Sequence, residues 1–167
     1  MDRSVTRPMR DHWPIIVLLV VQLLNGLVIS AQRFFFPIYV QETLGLTAVV
    51  VSTFVSVAQA AGMVAAIVGG GLNDTLGRKW TLTLGVALLI VSGLVYFVRV
   101  PSLIGLLWTV NGLAMTLASL GAQGYLLGAT DGRRLGLFSA LYNWGFTLGG
   151  ALGSPMAGWI LDSRGYR

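Results

Sequence analysis

The sequence predicts an all-α polytopic membrane protein with five transmembrane helices, and three observations predict it. Hydrophobic residues make up 55% of the chain and charged residues only 10%, against about 25% charged in a soluble domain. Long, mainly apolar runs recur along the whole chain, each near or above the roughly 20 residues needed to cross the hydrocarbon of a bilayer. Between them lie short polar breaks that hold most of the charge.

The first span is expected over residues 13–40, after a cytoplasmic segment of residues 1–12. It is longer than a crossing requires, so it tilts, kinks or protrudes, and Pro37 offers a local kink or terminus. The apolar run is too long for a signal-peptide core, and Ala31-Gln32-Arg33-Phe34 is a poor cleavage site, so the span is read as uncleaved. The second span covers 47–71, with Ala58, Gly62, Ala66 and Gly70 at four-residue spacing. Small residues so placed fall near one helix face and admit close helix packing. Asn73 to Lys79 breaks the pattern, and a third span follows over 80–98. Pro101 suits a helix start and leads into a fourth span over 102–128. After Thr130-Asp131-Gly132-Arg133-Arg134, the fifth span covers 135–161, with Gly145, Gly149 and Gly153 again four apart, then Pro155 and Gly158. Residues 162–167 form a short terminal segment, and the membrane part is 13–161.

Basic residues orient these spans. With the N-terminus inside, Arg3, Arg7, Arg10, Arg78, Lys79, Arg133 and Arg134 are cytoplasmic, while Arg99, Arg164 and Arg167 are outside. That excess favours a cytoplasmic N-terminus. It also accounts for the net charge of +5 without a nucleic-acid partner, because the cations sit between apolar runs rather than along one stripe. The partner implied instead is the lipid bilayer. The chain has no cysteine, so thiolate chemistry and disulfides are excluded. No carboxylate pair, histidine cluster or Ser-His-Asp arrangement points to an enzyme, and no residue set suits a metal or other cofactor. His12, isolated beside Asp11, reads as an interface residue rather than a proton carrier.

The break between the second and third spans carries a resemblance. Gly70, Asp74, Gly77, Arg78 and Lys79 match the G-x-x-x-D-R-x-G-R-R/K cytoplasmic signature, and the chain resembles the N-terminal half of a major facilitator superfamily transporter. Thr75 departs from the basic residue usual there. The resemblance implies that these five residues control conformation, with Asp74 capping a helix or pairing with an arginine. Gly145 to Gly158 is similar to the glycine-rich fifth-helix motif of proton-coupled antiporters, although Ser154 and Trp159 depart from it. In the fourth span, Trp108 stands where antiporter relatives carry an arginine, while Asn111 and Gly112 keep a polar residue and the glycine. Proton coupling is therefore an open option.

The family is built from two six-helix bundles, so five helices resemble an incomplete N-terminal bundle that needs the C-terminal portion of a transporter. The implied activity is alternating-access transport of a small solute in a bacterial cytoplasmic membrane. A non-transporting fragment or structural membrane subunit is the alternative. The first and fourth spans run in opposite directions, and spans one and two begin about as far apart as four and five, an arrangement compatible with inverted repeats.

Candidates for the solute path are Asn25, Arg33, Gln59, Trp108, Asn111, Gln123 and Asn143. A charge within a span is costly unless it meets water, headgroups or a partner. Two readings of Arg33 stand: contact with an anionic solute, or snorkelling to the outer headgroups. Gln22, Asn25 and Arg33 share a helix face by their spacing. Trp13, Trp80 and Trp159 near span ends fit interfacial anchors.

Overall fold

The computed structural model describes residues 13–130 and 134–164. Five α-helices run through them: α1 Trp13–Ile38, α2 Ala48–Thr75, α3 Arg78–Ser92, α4 Pro101–Ala129 and α5 Leu135–Arg164. A π-helical turn, Tyr39–Thr43, continues α1, and a 3-10 turn, Gly93–Phe97, continues α3. No strand interrupts the described residues.

Four of the helical segments are long and apolar enough to cross a membrane: Ile16–Thr43, Ala48–Thr75, Arg78–Phe97 and Pro101–Gly128. The expectation of five spans thus becomes five helices, four of which meet both conditions. The fifth helix has 30 residues, enough to cross, but Asn143, Ser154, Pro155 and its many glycines dilute its apolar content. The surface has the character of a lipid-facing one. Ile67 is 82% exposed, Phe97 84% and Met63 72%, an exposure of large apolar groups that water would oppose.

Pro37 lies inside the last turn of α1, not at its end. It cannot donate to the carbonyl four residues back, and the helix widens into the π-turn immediately after Ile38. Gly45 then takes φ +64 in the connection to α2. At the start of α4, Pro101 occupies the first helical position, where the missing N–H costs no hydrogen bond.

The described chain divides into two compact units, one spanning Phe35–Gly128 and the other combining the residues up to Phe34 with those from Ala129 onward. In the first, α4 is the central element. A side-chain Cβ at Gly112 would fall on the Ala58 carbonyl of α2, and one at Gly121 or Gly85 would strike the facing backbone at the α3–α4 contact. Buried residues of α2 are Val51, Ala58, Gly62, Ala65 and Gly69. The row is therefore 58, 62, 65 and 69, rather than 58, 62, 66 and 70. Strict four-residue steps advance about 40° each around a helix of 3.6 residues per turn. Ala66 and Gly70 have consequently rotated outward and are exposed.

One end of this unit is closed by Phe36, Val40, Val51, Ala58, Val95, Ile104 and Trp108, packed together. Phe36 and Trp108 stack with ring centroids 3.4 Å apart and planes 5° from parallel. Tyr39 meets Tyr96 edge-on, and its hydroxyl donates to the Tyr96 carbonyl at 3.3 Å.

In the other unit, α5 lies against the N-terminal part of α1. The face of Gly145, Gly149 and Gly153 meets the carbonyls of Leu19, Leu23 and Leu27, matching four-residue steps on both helices. Gly26 returns the relation by facing the Phe146 carbonyl. Such backbone approach is the physical use of small residues in membrane helices, where packing and hydrogen bonds replace the hydrophobic drive. The hydroxyls of Ser30 and Ser154 join the pair at 2.5 Å.

Candidate functional site

The α2–α3 turn is two residues long, Leu76 and Gly77. Leu76 N–H donates to the Leu72 carbonyl at 2.8 Å, closing α2. Gly77 takes φ 89 and ψ 154, a conformation essentially restricted to glycine. Its carbonyl accepts both the Thr81 N–H and the Thr81 hydroxyl, each at 3.2 Å. Thr81 is fully buried, so Gly77 is fixed from inside the protein. Gly77 is needed here for its conformation, since no atom would meet a Cβ built on it.

Arg78 opens α3, and its side chain lies along α4. A Cβ on Gly124 would come within 3.1 Å of its Cγ and 3.4 Å of its Cδ, and one on Gly128 would fall on its Nη1. The guanidinium thus sits beside the last turn of α4, where unsatisfied carbonyls favour a cation by about 0.3–1 kcal/mol. Asn73 adds a second tie, its Nδ2 donating to the Leu120 carbonyl at 3.3 Å. The Oδ1 of Asn73 is buried and has no partner among the described residues.

Asp74 and Lys79 are exposed. Asp74 lies in the last turn of α2, and no side chain caps α3 at Gly77. Neither expected contact of Asp74, a cap or an arginine pair, occurs among the described residues. An acid at a helix C-terminus and cations at a helix N-terminus both oppose the dipoles of their own helices. These charges therefore do not serve local helix stability. Gly70 is exposed, with open space around it.

The solute-path candidates separate into two kinds. Trp108 is 8% exposed and Asn111 6%. The Asn111 Nδ2 donates to Ser92 Oγ at 3.0 Å, and Trp108 is covered by Phe36. Both are engaged in internal packing of this chain. Arg33, Gln59, Gln123 and Asn143 are exposed, and Asn25 is half-buried. Gln123 donates to Ser119 Oγ at 3.0 Å, and Asn143 donates to the Ser139 carbonyl at 2.9 Å. These bonds stay within one helix turn and leave the amide oxygens available. Pro155 is exposed within α5, and Gly158 has open space beside it.

Sequence reading missed Asn73, Thr81 and Ser92. Thr81, Gly85 and Ser92 are the buried residues of α3, small groups on one helix face at spacings of four and seven. That spacing is a readable packing signal. His12 and the expected cytoplasmic residues Arg3, Arg7, Arg10 and Arg133 lie outside the described residues, as do Arg167 and the side chains of Trp13 and Arg164. No group of three or more His, Cys, Asp or Glu side chains suited to a metal occurs among the described residues.

The fold defines the class: a multi-pass, all-α integral membrane protein. Residues 18–167 match the Major Facilitator Superfamily. The chain belongs to that family, whose members generally mediate transport of small solutes. Comparison with curated proteins gives no match, and neither does comparison with solved structures.

Proposed function

We propose that the chain moves a small solute by alternating access, acting with the further helices that the family's two-bundle architecture calls for. The observation that carries this reading is the family match over residues 18–167. In this reading residues 13–161 form membrane-embedded helices of the first bundle, α5 crosses as a fifth span, and residues 1–12 and the α2–α3 turn lie in the cytoplasm. The basic residues support that orientation, and a bacterial cytoplasmic membrane is the proposed location. Residues 162–167 then emerge on the outer side.

Gly70, Asp74, Gly77, Arg78 and Lys79 are the proposed control residues. Support comes from charges that oppose their own helix dipoles and from the seating of Arg78 on the α4 glycines. Exposed Asp74 and Gly70 are available to helices of the second bundle. The proposed solute path draws on Asn25, Arg33, Gln59, Gln123 and Asn143. Trp108 and Asn111 shape it from behind, through the Phe36 stack and the Ser92 bond. Trp108 has no titratable proton and Asn111 is neutral, so any coupling proton uses other groups.

Uptake by the complete transporter in proteoliposomes tests the reading, with a panel of sugars, amino acids, organic acids and organic cations. Saturable uptake or exchange of at least one solute is expected. None across the panel counts against transport and favours a structural subunit. Repeating positive cases with and without an imposed pH gradient decides whether protons are coupled.

A further inference from the structure

The buried residues of α1 lie on one face, through Leu18, Gln22, Gly26, Ile29 and Phe36. The exposed apolar residues of α1, Ile16, Val17, Val20, Val21, Leu24, Val28, Phe34 and Ile38, occupy the opposite side. At 100° per residue, Arg33 falls within the sector of the buried row, about 160° from the centre of the exposed apolar face. Gln22 falls in the same sector and Asn25 at its edge. Arg33 is nevertheless exposed, so it lies off the apolar face of α1 while remaining reachable.

Depth sharpens the point. The span that holds Arg33 is Ile16–Thr43, which places its Cα about 5 Å from the span's midpoint at 1.5 Å per residue. The headgroups begin about 15 Å from the bilayer centre. The other described charges, Glu42, Asp74, Arg78, Lys79, Arg99, Arg134 and Asp162, lie at or near element ends. Among the described residues Arg33 has no ion pair. A permanent cation within a span, off its apolar face and without an ion pair among the described residues, calls for a counter-charge from elsewhere.

We propose that Arg33 binds the anionic group of the transported solute, a carboxylate, phosphate or sulfate. The guanidinium fork matches those groups with two parallel hydrogen bonds. The neutral amide of Asn25, about two turns earlier and toward the same sector, suits a solute that also carries a polar uncharged group. The assignment of the anion to a solute rests on the transport reading; the binding itself does not.

The test is thermal unfolding of the full chain in phosphatidylcholine nanodiscs, with inorganic phosphate, sulfate or succinate added at constant ionic strength and glycerol as the neutral control. At least one of the three anions is expected to raise the Tm above the chloride reference, with no shift from glycerol. Arg33→Gln, checked for unchanged helicity, is expected to abolish the shift. Arg33→Lys keeps the charge and is expected to retain a smaller shift. No shift with any of the three anions, or an equal shift in Arg33→Gln, overturns the proposal. So does Arg33-dependent stabilisation that arises only when phosphatidylglycerol is placed in the nanodisc, since the anion is then a lipid headgroup. Anion binding here without uptake in proteoliposomes overturns the transport reading alone.

Discussion

Arg78 of α3 lies against Gly128 of α4 so closely that a Cβ on Gly128 would fall on its Nη1. The glycine leaves room for the guanidinium beside the carbonyl end of α4. The contact links the α2–α3 turn to the central helix of its unit. It also identifies how the turn can be disturbed without disturbing the fold.

Gly128→Ala should displace Arg78 at little cost, because the displaced group is the far end of a flexible side chain. A stability change within about 0.5 kcal/mol is expected, together with a clear change in uptake rate by the complete transporter. Thermal unfolding and initial-rate uptake on the same preparation check both halves.

Gly77→Ala should be costly for a different reason. At φ 89 an alanine is strained whatever the space around it, and a loss of about 1–3 kcal/mol is expected. Reversible unfolding in mixed micelles measures it. Thr81→Val should also destabilise the turn, since it removes the hydroxyl bond to the Gly77 carbonyl.

Gly149→Ala and Gly153→Ala place a methyl group on the Leu23 and Leu27 carbonyls of α1. Backbone cannot step aside as a side-chain end can, so each should destabilise by about 1–3 kcal/mol. Gly158→Ala meets nothing within 4 Å and should be neutral or stabilising by up to about 1 kcal/mol. Unfolding of the three variants side by side separates packing glycines from incidental ones.

The Asn111–Ser92 hydrogen bond is buried. A double-mutant cycle with Asn111→Ala and Ser92→Ala should return a coupling of about 0.6 kcal/mol, the usual size for such bonds between membrane helices. A coupling near zero would leave Asn111 free to serve the solute path directly.

Helix number and the polar breaks were legible because the bilayer imposes a length and an apolar character on every span. The glycine spacing of α5 was legible for the same reason: Gly145, Gly149 and Gly153 meet α1 at matched steps. On α2 the same rule misled beyond Gly62, because four-residue steps drift around the helix and Ala65 and Gly69 replace Ala66 and Gly70 in the buried row. The turn motif located Gly77 and Arg78 but not Asn73 or Thr81. Their hydrogen bonds go to backbone carbonyls of Leu120 and Gly77, so the small-residue spacing of α3 could mark Thr81 as buried but not its partner. Trp108 and Asn111 read as polar or aromatic surfaces for a solute, yet their partners Phe36 and Ser92 come from other elements of the chain. Pairings at such separations depend on tertiary packing.

The chain has no cysteine, which makes single-cysteine labelling free of background. Cysteines placed at Ser4, Leu76, Val100 and Ser163 in turn should react with a membrane-impermeant maleimide from the outside only at the last two. Outside labelling at Ser163 is the result expected if α5 crosses as a fifth span; protection there until permeabilisation would place both ends of the chain inside.

The most direct measurement is initial-rate uptake by the complete transporter in proteoliposomes, wild type against Arg78→Gln at matched protein amounts. Saturable wild-type uptake that falls at least about tenfold in Arg78→Gln, with unfolding unchanged within about 1 kcal/mol, is the expected result for a control residue whose loss shifts a conformational balance. Uptake that is absent from the wild type, or equal in the two proteins, contradicts a solute transporter governed by the α2–α3 turn.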